Sequence, residues 1–262
     1  MPGIKAKNSI ARYSQRLSVG EGETPLPASP EGIHSFRRIT KKLRALLTWL
    51  TTGRQPLPKS FKRLYRLAGE LRNAQVVLDH IDKDQQELAA FRNWLQLRLQ
   101  DLTKEWEKVY DENIIRRLRM QLRSHHYRTA DEHKLKQFFR KKVKGIKTIV
   151  GSPSPPDGQL HEARKMLQQL QYVYTWSISK GLIDPGPKKE LLKELSQQAG
   201  NFNDQRMALL LLDEYMQEES DDTLLRSSLR IKEEWEKSKE QLRGSLIHTL
   251  KGFVSSSSPA PQ

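Results

Sequence analysis

The 262-residue sequence contains no cysteine, which removes disulfides, thiolate nucleophiles and thiolate metal sites together. It has no run approaching 18 consecutive apolar residues, so no membrane-spanning helix is expected. Its first residues, MPGIKAKNSIARYSQRL, lack the apolar core of a secretory signal. A cytoplasmic location is the default expectation that follows. Aromatic residues make up only 7% of the chain, and glycine and proline are not abundant. What fills the long segments is leucine, lysine, glutamate and glutamine, the good helix formers. An all-α fold is expected.

Acid is the scarcer charge. Lys and Arg number 46 against 31 Asp and Glu, a formal net charge of +15, which favours polyanionic partners and says nothing of fold. The acids are also unevenly spread. Residues 32–69 contain none, nor do 113–130 and 133–156, whereas DEYMQEESDD and KEEWEKSKE crowd them into the C-terminal part. Solvated helix faces normally interleave the two signs. Like charges packed this densely repel, and an anionic ligand explains them better than folding does. Their spread over several helices points to a long ligand.

Proline, glycine and serine clusters divide the chain. Residues 1–30 read as an unstructured basic tail, ending in GEGETPLPASPEG. Helices are predicted from Ile33 to about 50, 59 to 82, 84 to 124, onward to about 148, 159 to 180, 187 to 217 and 221 to 253. Gly53 ends the first, and Pro56 and Pro58 precede the second. The segment GSPSPPDG, 151–158, is the strongest boundary, so 31–150 and 159–253 are expected to be two helical repeats, with 254–262 a mobile tail.

Two stretches open alike: IHSFRRITKKLR from Ile33 and LHEARKMLQQLQY from Leu160. Each is followed by a second motif, GELRN at 69–73 and GNFND at 200–204. A two-part pattern met twice in the same order reads as an internal duplication, and duplicated helical units pack about a pseudo-twofold axis. On a helical wheel, Ile33, Phe36, Ile39, Leu43, Leu46, Leu47 and Leu50 form one face, and His34, Arg37, Lys41 and Arg44 the other, flanked by Arg38 and Lys42. In the second copy His161, Arg164, Gln168 and Gln171 hold the stripe positions, with Lys165 beside Arg164.

Taken together, IHSFRRITKKLRALL with GELRN and LHEARKMLQQLQY with GNFND resemble the two halves of a CHAD domain, the conserved-histidine α-helical family that binds inorganic polyphosphate. The resemblance covers residues 30 to about 250. It implies two four-helix bundles about a pseudo-twofold, a basic channel between them lined from the His-headed helices, non-catalytic binding, and association with polyphosphate granules. By position it carries over His34, Arg37, Lys41, Lys42, Arg44 and Arg72 in the first half, with the flanking Arg38, and His161, Arg164 and Lys165 in the second. Gln168, Gln169 and Gln171 stand where the family usually has basic residues.

Polyphosphate suits such a surface because it offers charge and no bases to read. A non-specific binder of nucleic acid or another acidic polymer is the alternative, although stacking platforms for single strands are not visible in the sequence. A purely structural helical protein is the third reading. No catalytic residue, metal site or cofactor is expected. EWEKV at 105–109 has Val109 where the ExExK signature of a triphosphate tunnel enzyme requires lysine, and glycine-rich phosphate loops and HExxH are absent. His34 and His161 have no second ligand at i+3 or i+4, and Asn73 and Asp204 are placed to act as caps or as hydrogen-bond partners of these imidazoles.

Overall fold

The computed structural model describes residues 2–17, 29–51, 55–81 and 85–256, with side chains from Ala6 onward. Among these residues the chain is helical without strands: α1 (Pro2–Arg16), α2 (Pro30–Leu50), α3 (Lys59–His80), α4 (Ala89–Val109) after one 3-10 turn, α5 (Glu112–Ser124), α6 (Glu132–Val150), α7 (Asp157–Ser179), α8 (Lys188–Glu218) and α9 (Asp222–Ser256). No helix among them is long and apolar enough to cross a membrane.

Local chemistry sets the ends of α2. Ser29 accepts a hydrogen bond from the Gly32 amide at 3.1 Å, and Pro30 follows, an N-cap and first-turn proline in sequence. At the other end Thr51 donates its hydroxyl to the Leu47 carbonyl. Ile33, Phe36, Leu43, Leu46, Leu47 and Leu50 are fully buried, so the apolar stripe read from the sequence is the buried face. Gly53 lies outside the described residues.

Four expectations are corrected. The N-terminal 30 residues are not all an unstructured tail. Ala6, Ile10, Ser14 and Leu17, spaced at helical intervals, are buried, and α1 packs against α2 and α5. Arg119 of α5 donates to the carbonyls of Ser14 and Gln15, satisfying the open end of α1. The single helix expected over 84–124 is two, because Asp111 caps α5 by accepting from the Asn113 amide at 2.8 Å. The segment 151–158 does not separate two packing units: α6, before it, packs against α7 and α9, after it. A Cβ at Gly145 would lie 2.8 Å from Met166 Sδ, so the missing side chain there lets α6 approach α7 closely. Packing partners change between α5 and α6. At the far end α9 runs on to Ser256, three residues past the expected limit.

At the centre α2 packs against α7, and α3 against α8. Near the C-terminal ends of α2 and α7, Trp49 and Trp176 meet edge to face at 5.6 Å, a geometry worth about 1 kcal/mol beyond the area buried. One continuous apolar core runs from α1 through α9, with a smaller cluster of Phe91, Leu212, Tyr215 and Ile231 joining α4, α8 and α9.

Candidate functional site

The polar faces of α2 and α7 do not close on one another. Between α2, α3, α7 and α8, with Lys142 reaching in from α6, lies an open cavity of about 1000 Å³, at the upper end of the range for ligand pockets. Its wall carries ten Lys or Arg residues against two carboxylates, Glu162 and Asp204.

From α2 come His34, Arg37, Arg38, Lys41 and Arg44. They reach it because the apolar stripe fixes the rotation of the helix, turning the opposite face toward the gap. Arg37 is held from α3. Its guanidinium lies 5.5 Å from the centre of the Tyr65 ring, and Arg44 lies over the same ring at 5.1 Å, each a cation–π contact. One turn on, a Cβ at Gly69 would sit 2.6 Å from Arg37 Nη1, so any side chain there would push this guanidinium aside. Arg72, one further turn along, also lines the cavity and pairs weakly with Asp79 at 4.0 Å.

From α7 come His161, Arg164, Lys165, Gln168, Gln169 and Tyr172. The His161 Nδ1–H donates to Asn203 Oδ1 at 2.7 Å, and the Asn203 amide in turn donates to Asp204 Oδ1 at 3.4 Å. That leaves Nε2 as the free nitrogen of this imidazole. Lys165 is paired with Glu162 at 2.7 Å. Arg164 Nε and Gln169 Oε1 are buried without a hydrogen-bond partner among the described residues. Unmet polar atoms on a cavity wall are costly unless something fills the cavity.

The charges feel each other. Burial, then Arg37 and Arg164, pull the Lys41 ammonium down to about 7, with only Asp204 opposing. His34 is lowered by burial, then by Arg72, Arg38, Lys41 and Arg37. His161 is lowered by burial, which outweighs the bond to Asn203. Arg37 and Arg164 are lowered mainly by burial, with Tyr65 and Asp204 opposing in both. Among the described residues, neither Arg37, Lys41 nor Arg164 has a carboxylate within ion-pair distance. The site is therefore a half-buried, under-neutralised cluster of cations, which by itself is costly to hold together.

Of the ten site residues read from the sequence, nine line this cavity: His34, Arg37, Arg38, Lys41, Arg44, Arg72, His161, Arg164 and Lys165. Lys42 does not; burial, then the positive charges of Arg38 and of Arg16 on α1, lower its pKa. On α7, Gln168 and Gln169 are in the wall and Gln171 is not. The partner of His161 is Asn203, one position before the expected Asp204. Tyr65, Arg66, Tyr172, Lys142 and Arg206 also line the wall and were not singled out as site residues. Tyr65 carried a usable signal, one turn before the Gly69 motif; Lys142 and Arg206 come from helix faces that sequence periodicity does not orient toward the site. Among the described residues there is no cluster of three or more groups able to hold a metal ion.

A family model described as the CHAD domain matches residues 21–212. No curated protein matches the chain. A solved structure, the crystal structure of the CHAD domain from the plant Ricinus communis, superposes with a TM-score of 0.69 at 15% identity, covering 100% of this chain and 91% of that one. At that identity the likeness is one of fold.

Proposed function

The chain belongs to the CHAD domain family, and from that premise we propose that it binds inorganic polyphosphate, without catalysis, in the cavity between α2, α3, α7 and α8. The observation that carries this reading is the set of half-buried cations Arg37, Lys41 and Arg164, which have no carboxylate within ion-pair distance. Guanidinium forks and an ammonium suit the oxygens of a phosphate chain, and charged donors bond them about twice as strongly as neutral ones. Such a site needs no nucleophile or general base. It fits a protein that associates with polyphosphate granules.

The same reading takes the domain as an internal duplication of two four-helix units about a pseudo-twofold. Its support lies in residue pairs 127 positions apart on α2 and α7. His34 and His161, Arg37 and Arg164, Arg38 and Lys165, and Lys41 and Gln168 all line one cavity, as do Ala45 and Tyr172. Trp49 and Trp176, at the same spacing, touch each other, as equivalent residues on a twofold must. On α3 and α8 the pairs are Arg72 with Asn203 and Asn73 with Asp204. The correspondence fails at Lys42 with Gln169 and at Arg44 with Gln171, where only one member reaches the wall.

Competition decides between this reading and a general acidic-polymer binder. Labelled long-chain polyphosphate bound to the protein is challenged with duplex DNA at matched phosphate concentration. Retention of polyphosphate is expected; displacement by DNA at equal phosphate transfers the site to nucleic acid, whose binding is dominated by backbone charge.

A further inference from the structure

Lys41 stands apart from the other described lysines. It stands in the cavity wall one turn from Arg37 on its own helix. Arg72 of α3 and Arg164 of α7 add positive charge, and Asp204 of α8 is the single acid in its field. No carboxylate among the described residues holds its charge as an ion pair. By contrast Lys165 is paired with Glu162, and Lys142 lies over the Phe138 ring. Desolvation together with cationic neighbours is what makes a lysine amine a nucleophile. The same neighbours, Arg37 and Arg164, are forks that anchor a phosphate. The cavity of about 1000 Å³ has ample room for a small molecule bearing one.

We propose that Lys41 is a covalent modification site for small aldehydes that carry a phosphate group, the phosphate held by Arg37 and Arg164 while the aldehyde meets the amine. The inference rests on the anion-binding reading of the cavity, though not on the anion being a polymer. The Lys41 Nζ lone pair attacks the carbonyl carbon to give a carbinolamine. The carbonyl oxygen then leaves as water with the two amine hydrogens, and a C=N bond remains. The step is reversible and needs no oxidant or reductant. Its electrostatic condition is met, since burial with Arg37 and Arg164 brings the ammonium down to about 7, leaving a large neutral fraction at neutral pH. Modification replaces a cation in the wall by a tethered phosphate, so it closes the cavity to any further polyanion.

Pyridoxal phosphate is the probe. The full chain is incubated with it near pH 7.5, reduced with borohydride to fix the imine, and mapped by peptide mass. Lys41 should be labelled at least about tenfold faster than the exposed Lys144 and Lys147 of α6. Pyridoxal without the phosphate should label Lys41 far more slowly, and Arg164→Gln should slow the phosphate form. Lys41→Arg, which keeps charge and length, should lose the label with its fold intact. Equal rates at Lys41 and Lys147, or equal rates with and without the phosphate, overturn the proposal. Adding long-chain polyphosphate separates the two readings. If Lys41 is labelled quickly and the polymer gives no protection, the modification site stands and the polyphosphate reading falls. If the polymer binds and Lys41 is never labelled, the reverse holds.

Discussion

Lys41 and Asp204 carry the sharpest consequences of packing like charges together. The Lys41 ammonium titrates near 7 in the folded chain against 10.5 as an ordinary lysine, so between those values the unfolded chain binds more protons and stability rises with pH. Thermal melts stepped from pH 7 to 9 should show that rise, and Lys41→Met should flatten it. An unchanged slope in the variant would mean that the amine is solvated. A polyphosphate chain bonded to Lys41 itself restores the proton there, so its binding above pH 7 should take up protons from buffer. Asp204 opposes the depression at Arg37, Lys41 and Arg164 alike. Replacing it isosterically, Asp204→Asn, should therefore tighten polyphosphate severalfold, since a repelled carboxylate is gone, while lowering the melting temperature of the free protein. Weaker binding instead would show that Asp204 serves to position the cations. These positions were half legible beforehand. The stripe on α2 follows from helical periodicity, and four of its members reach the wall as expected. Tyr65 escaped although it stands one turn before the Gly69 motif, because that spacing alone does not say that two guanidinia will lie over its ring.

Helices were readable where apolar period and punctuation agree, as at Pro56 and Pro58 before α3, which begins at Lys59. They were misread where the two disagree. The period runs unbroken from α4 into α5, and only the side chain of Asp111 ends it. α1 is short and basic, and it is held by burial of Ile10 and Leu17 against distant helices, a tertiary contact that local pattern does not contain. Gly69 puts the element scale to the test. A glycine inside a helix costs up to about 1 kcal/mol relative to alanine, so Gly69→Ala should leave α3 as stable or more so. Its Cβ would intrude on Arg37 Nη1, and polyphosphate affinity should drop severalfold as the guanidinium is displaced. Urea unfolding and a binding titration on one variant check both signs; affinity unchanged would remove Arg37 from the site. At the other end of α2, Trp49→Ala should cost about 3–5 kcal/mol in unfolding free energy, because it opens the seam with Trp176.

At the scale of the molecule, the charge pattern read from sequence divides in two. The acid-free span 32–69 supplies one wall of the cavity through α2 and α3. The spans on α5 and α6 mostly face outward: Arg116, Arg117, Arg140, Lys144 and Lys147 are exposed, and only Lys142 among the α6 cations enters the wall. Exposed cations are screened within about 10 Å at 0.1 M salt, whereas convergent ones in a cavity are not. The net charge of +15 is thus a poor guide to where an anion sits; the repeated His-headed motif, and not the charge count, separated cavity from coat. The boundary at 151–158 misled for a related reason. Proline and glycine mark a turn, and whether a turn joins neighbours or separates units depends on packing, here of α6 on α7.

The central claim is that convergent cations, and not the general surface, hold polyphosphate. It is tested most directly by titrating long-chain polyphosphate from 50 to 200 mM salt against three proteins: the unaltered chain, Arg37→Ala with Lys41→Ala, and Arg140→Ala with Lys144→Ala. Phosphate contacts release counterions, so affinity of the unaltered chain should fall steeply and linearly on logarithmic axes. The cavity pair should lose more than about tenfold, consistent with charged hydrogen bonds worth roughly 1.5–3 kcal/mol each, and its salt slope should be shallower. The α6 pair should lose less than about threefold. Equal losses from both pairs, or binding indifferent to salt, would contradict the account.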